Sequence, residues 1–153
     1  MRAWTIHEHG GPEVLTLSQD TPTPEPGPGE VRIAVRACTL NHLDTWVRRG
    51  LPGVAFPLPM ILGCDGAGRV DSWGVGAEEG AAEADVELAE GAAVGIAPGI
   101  GCGDCPSCGA GDDHLCRRYG ILGETQDGTC AEFVCVPARN LLPGADAIGW
   151  EAA

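Results

Sequence analysis

The chain has 153 residues, 44% of them apolar, which suffices for one domain with a hydrophobic core. Twenty-two acids face nine arginines and no lysine, a net charge of −13 that excludes the basic surfaces nucleic acids and anionic membranes demand. No apolar run reaches the roughly 18 residues of a membrane span, and the opening MRAWTIHEHGG lacks a signal-like apolar stretch. A cytoplasmic location is therefore expected, where clustered cysteines point to metal or chemistry rather than disulfides. Two origins fit the acidity equally: adaptation to high salt, or a GC-rich genome.

In chain order, RAWTIHE and EVLTLS read as two strands around the turn His9-Gly10-Gly11-Pro12, a hairpin. TPTPEPGPGE (21–30) carries four prolines and reads as a short extended connector. In EVRIAVRA, Val31, Ile33, Val35 and Ala37 alternate with Arg32, Ala34 and Arg36, the period-2 pattern of a half-buried strand. NHLDTWVRRG predicts a short helix with Asn41 as N-cap, Asp44 completing a near capping box and Gly50 as the stop. Residues 52–59, with three prolines, form a loop, and ILGCDGAGRVDSWG suits a strand whose backbone packs closely.

The run EEGAAEADVELAE (78–90) holds six acids and no base, predicting a solvated hairpin or loop ahead of a partner-binding face. AVGIA (93–97) and AEFVCV (131–136) read as further core strands. Cys38, Cys130 and Cys135 fall in strand-like runs and are expected to be buried small hydrophobes. Cys64 is expected to be inert, since no arginine lies within four residues of it.

Between Cys102 and Cys116 the spacing is C-x2-C-x2-C-x7-C. Short x2 gaps let one turn present several sulfurs to one point, as tetrahedral zinc requires. An iron–sulfur cluster shares the C-x2-C-x2-C start, but its pattern continues x3-C-P, and here the fourth cysteine is late and Arg117 follows it. Cys102, Cys105, Cys108 and Cys116 are thus assigned to zinc. Arg117 and Arg118 are placed to offset the thiolate charge, and His114 is left exposed. Four filled positions leave no place for water or substrate, so the metal is structural.

Together these motifs resemble the GroES-like catalytic half of the medium-chain dehydrogenase/reductases, which include zinc alcohol dehydrogenases and quinone reductases. The landmarks are GGPEVL, the Pro-Gly turn before EVRIAV, NHLDTWVRRG, PLPMILGCDGAGRV, the four-cysteine lobe, YGILGETQDGTCAEFV and VPARNLL, in family order. The resemblance implies a mainly β fold: a partly open GroES-like β-barrel with short helices, one domain over 1–153, and a zinc lobe at 101–117. In the alcohol dehydrogenase branch a reacting zinc is held by a cysteine near the short helix and a histidine in a Gly-His-Glu stretch. Here Asn41 and Cys64 stand in those places, and an amide is a poor zinc ligand. Asn41, Asp44, Trp46 and Arg48 instead follow the zinc-free quinone reductase pattern.

The implied function is hydride transfer between NAD(P)H and a carbonyl, alcohol, enone or quinone, with structural zinc and without catalytic zinc. Asn41, Asp44 and Trp46 are the implied substrate-cleft residues and His42 the implied cofactor contact. Asn41 and Asp44 equally read as helix caps, and Trp46 equally as core. Two alternatives stay open: a second metal on Cys64, Asp65 and a ligand from elsewhere, or a zinc-stabilised binding module without enzymatic activity. No G-x-G-x-x-G fingerprint is present, since GVGAEEG (74–80) has the wrong spacing and runs into acids. A following Rossmann domain is therefore absent from this sequence and is the expected partner, beside a small-molecule substrate. The chain alone is expected to be inactive, and a homo-oligomer is left open.

Overall fold

Alternation in EVRIAVRAC produces the longest strand, and most of the fold is assembled on it. The computed structural model describes residues 1–83, 89–150 and 152. It opens with β1 (Ala3–Ile6), a 3-10 turn at Pro12–Val14 and β2 (Thr16–Ser18). β1 and β2 pair antiparallel with Ala3 opposite Ser18, so the hairpin is present, with Glu13 and Val14 in its turn rather than in a strand. The proline-rich connector is held by Arg32, which donates to the Pro24 carbonyl at 3.1 Å and pairs with Glu25 at 3.2 Å. β3 (Glu30–Cys38) follows, with Val31 and Ile33 fully buried, and then α1 (His42–Arg49), ended by Gly50.

β4 (Met60–Ile61) and β5 (Gly66–Trp73) divide ILGCDGAGRVDSWG into two strands joined by Leu62–Asp65. Gly68 explains the glycine richness, because a Cβ there would strike the Ala34 carbonyl oxygen of β3. The acidic run begins as a helix, α2 (Ala77–Glu83), rather than as a hairpin or loop. Ala77 and Ala81, one turn apart, are both buried in the main core and give that helix its inner face. The part of the run at 84–88 lies outside the described residues.

The remaining elements are β6 (Ala93–Ile96), β7 (Gly99–Ile100), α3 (Pro106–Gly109), β8 (Gly120–Ile121), β9 (Phe133–Pro137), β10 (Leu141–Pro143) and α4 (Ala145–Ile148), with 3-10 turns at Asp113–Leu115 and Ala138–Asn140. AVGIA lands in β6, and AEFVCV enters its strand only at Phe133. An antiparallel sheet runs β10-β6-β5-β3-β9, a second β2-β1-β4, and a two-stranded ladder of β7 and β8 underlies the cysteine lobe. The large sheet stays open, and an isolated bridge between Ala3 and Ala131 ties it to the small one. The mainly β architecture with short helices is the expected one.

Two buried clusters position the site. Val31, Ile33, Val70, Val94, Val134 and Val136 fill the large sheet's inner face. Ile6, Val47, Met60 and Leu62 form the other, which pins α1 against β1 and β4. No described helix is long and apolar enough to cross a membrane.

Candidate functional site

The first turn of α1 carries the densest polar network away from the cysteine lobe. The Asn41 backbone N–H donates to Asp44 Oδ2 at 2.6 Å, fixing the helix start. The other Asp44 oxygen, Oδ1, accepts from the Gly63 N–H at 2.7 Å, so this buried carboxylate links α1 to the β4–β5 connection. The Asn41 side-chain amide donates to Asp65 Oδ2 at 2.7 Å and to Cys64 Sγ at 3.2 Å. Four residues singled out in the sequence therefore meet: Asn41, Asp44, Cys64 and Asp65. Burial pushes the Cys64 thiol up, and the nearby Asp65 and Asp44 charges push it the same way, which agrees with an inert sulfur.

Beside this network lies a cavity of about 320 Å³ with a mostly apolar wall of Trp4, Leu15, Leu40 and Leu62. Asn41, Asp44, Thr45 and Arg48 give it a polar side. Trp46, half exposed, is not among its lining residues; it packs on the exposed His42 with ring centroids 6.3 Å apart. Sequence reasoning missed the wall residues Trp4, Leu15, Leu40, Leu62 and Thr45; Trp4 comes from furthest along the chain, delivered by β1, and no local pattern marked it. Arg48 is buried and donates to the Gly10 carbonyl, joining α1 to the hairpin turn.

The cysteines expected to be buried differ among themselves. Cys130 is buried and Cys135 half-buried, but Cys38 is exposed, because it ends β3 where the sheet face gives out. Cys38 Sγ lies 3.7 Å from Cys130 Sγ. Hydrogen bonding from Cys130 draws the Cys38 thiol down to about 7, against burial and the Asp44 charge, while the Cys130 thiol is driven upward by that same bond and by burial. Burial pushes the Cys135 thiol up to about 11.

In the lobe, the sulfurs of Cys102, Cys105, Cys108 and Cys116 all lie within 4.8 Å of one another, the one such group among the described residues. Cys105 and Cys108 are 3.5 Å apart and Cys102 and Cys108 3.9 Å. Bonds of about 2.3 Å at tetrahedral angles place sulfurs about 3.8 Å apart, so these four fit a single zinc ion. Backbone N–H groups of Cys102 and Arg118 donate to Cys116 Sγ at 3.4 and 3.3 Å, offsetting thiolate charge. Arg118 thus helps through its backbone and through its guanidinium, which pairs with Asp104 and also faces Cys102, as expected of its charge; Arg117 and His114 are exposed. Arg139 donates to the Gly101 carbonyl at 2.6 Å, and buried Asn140 holds the Ala97 and Gly99 carbonyls at 2.8 and 2.7 Å. Both clamp the lobe's root, a role that VPARNLL gave no sign of.

Residues 27–146 match the family described as the alcohol dehydrogenase GroES-like domain. Over 76 residues, 50% of this chain and 23% of the relative, the sequence is 42% identical to a quinone oxidoreductase of Rattus norvegicus. Over 69 residues, 43% of this chain and 20% of the relative, it is 49% identical to a quinone oxidoreductase of Pseudomonas aeruginosa. Among solved structures it is similar to an NAD-dependent alcohol dehydrogenase, with TM-score 0.86 and 49% identity over 99% of this chain and 41% of the other. A thermostable alcohol dehydrogenase from Pyrobaculum aerophilum gives TM-score 0.79 and 34% identity over 94% of this chain and 40% of that one. The chain therefore spans well under half the length of these relatives. The large sheet, the helix-cap network and the four-cysteine lobe all fall within residues 27–146, and the chain belongs to the alcohol dehydrogenase GroES-like domain family of the medium-chain dehydrogenase/reductases.

Proposed function

We propose that residues 1–153 form the substrate-side half of an NAD(P)-dependent oxidoreductase acting on a carbonyl, alcohol, enone or quinone, with a structural zinc and no catalytic zinc. The observation that carries this is the Asn41 amide. Its N–H groups face Cys64 Sγ and Asp65 Oδ2, the lone-pair donors a second metal would need, so the amide occupies those donors as acceptors. Cys102, Cys105, Cys108 and Cys116 would hold the zinc, which would cross-link the lobe and, with four sulfur ligands, would leave no position for substrate.

The chain's own residues bind and orient the substrate. Trp4, Leu15, Leu40 and Leu62 exclude water from the reacting group, and Asn41, Asp44 and Thr45 present the polar side that aligns it. The nicotinamide supplies or accepts the hydride, from a cofactor-binding domain that these residues do not provide. His42 is the contact assigned to that cofactor, with Trp46 packed against it.

Native mass spectrometry tests the metal content: one zinc per chain is expected, two would revive the site at Cys64 and Asp65, and iron would overturn the zinc lobe. The reaction is tested by assaying the chain joined to its cofactor-binding domain with NADH and NADPH against quinones, enones and alcohols. Asn41→Ala is expected to lower kcat/KM at least about tenfold with zinc content unchanged. Inactivity of the correctly folded pair on all three substrate classes would favour the binding-module alternative.

A further inference from the structure

We propose that Cys38 and Cys130 are a reversible dithiol–disulfide pair, oxidised by exchange with a low-molecular-weight disulfide such as oxidised glutathione. Their sulfurs are 3.7 Å apart although the residues are 92 positions apart in sequence. Both are held by backbone pairing. Cys38 sits opposite Gly66 in β3–β5, while the Cys130 N–H donates to the Leu62 carbonyl at 2.9 Å and its carbonyl accepts from Trp4 at 2.8 Å. Closing the bond needs an S–S separation of about 2.05 Å, a movement on the scale of side-chain rotation. The two thiols also differ in accessibility, with Cys38 exposed and Cys130 buried, which sets an order of attack.

An open cavity of about 370 Å³ is lined by both cysteines, with Arg2, Arg36 and Glu132 around it. It gives a disulfide reagent access to Cys38, and exposed Arg36, two residues away, offers a cation to an anionic one. Cys38, as thiolate, attacks one reagent sulfur; the reagent S–S bond breaks and the leaving thiolate takes a proton. Cys130 then loses its proton and attacks the Cys38 sulfur, expelling the second reagent thiolate, which is protonated in turn. Two protein thiols are oxidised to one disulfide, and one reagent disulfide is reduced to two thiols. Cys130 also lines the cavity beside Asn41 and Asp44, so the redox state of the pair is felt there. The chemistry stands whether or not the oxidoreductase assignment holds.

The test is to equilibrate the zinc-loaded protein with oxidised glutathione, alkylate the remaining thiols, and map peptides by mass spectrometry. A loss of two of the eight thiols, reversed by dithiothreitol, is expected, with tryptic peptide 37–48 linked to 119–139 through Cys130. Cys135→Ser should keep that link. Cys130→Ser should leave Cys38 as a stable mixed disulfide, and Cys38→Ser, at an exposed position that folding tolerates, should abolish oxidation of Cys130. A lasting Cys38 adduct beside a free Cys130 in the unsubstituted chain, a link to Cys64 or Cys135, or no thiol consumption would each overturn the proposal.

Discussion

Asp44 is a carboxylate without solvent to satisfy it, so both of its oxygens are engaged by backbone N–H groups, those of Asn41 and Gly63. Asp44→Ala strands the buried Gly63 N–H and should cost about 1–3 kcal/mol, read as a lower urea midpoint at unchanged m-value. Gly63 is equally constrained: its φ is +95°, and a Cβ would come within 2.7 Å of Cys130 Sγ and Thr129 Oγ1. Cys38 gives a pH-dependent readout. Its thiol is drawn down to about 7, so its thiolate population rises through that pH, below the ordinary thiol range. Iodoacetamide labelling of Cys38 should thus have a rate midpoint near neutrality. For stability Cys38 acts as a depressed acid, its favourable contribution being lost as pH falls through about 7, while the raised Cys130 thiol opposes it above the ordinary thiol range, so the pair stabilises the fold most between the two. A labelling midpoint at an ordinary thiol value would show that the hydrogen bond with Cys130 does not lower the Cys38 thiol.

Among the elements, the cysteine lobe depends most on a ligand. Cys105→Ser removes a soft donor outright and should weaken zinc by more than the roughly 10- to 100-fold typical of outer-shell changes, measured by competition with a fluorescent chelator. The lobe was legible in the sequence because its chemistry is local: four sulfurs within fifteen residues must share a point. The α1 cap was legible for the same reason, since Asn41 and Asp44 are one turn apart. Cys64 and Asp65 stood out by motif, yet their hydrogen bonds to Asn41 depend on how β4 and β5 pair. α2 was misjudged because its acids masked Ala77 and Ala81, whose spacing decides which face enters the core. Trp4 in the cavity wall and the Cys38–Cys130 approach were invisible, because only tertiary pairing of distant segments brings such residues together.

For the whole molecule, a net charge of −13 on 153 residues means self-repulsion in the folded state. Molar KCl shortens the screening length to about 3 Å, so the thermal midpoint should rise between dilute buffer and molar KCl. Refolding that is no better in molar KCl would discard high-salt adaptation and leave base composition as the source of the acidity. The same charge has few fixed partners: Arg32 with Glu25 and Asp71, Arg2 with Glu132, and Arg118 with Asp104 are the ion pairs among the described residues. The zinc lobe, finally, leaves and re-enters the fold at one place. Gly99 pairs with Ile121, and the Leu122 N–H meets the Pro98 carbonyl at 3.1 Å. An excursion whose two ends already touch can be shortened to a tight turn, or exchanged for another of different length, without disturbing the sheets around it. The lobe is in that sense a removable cassette, whose excision would cost the rest of the fold little.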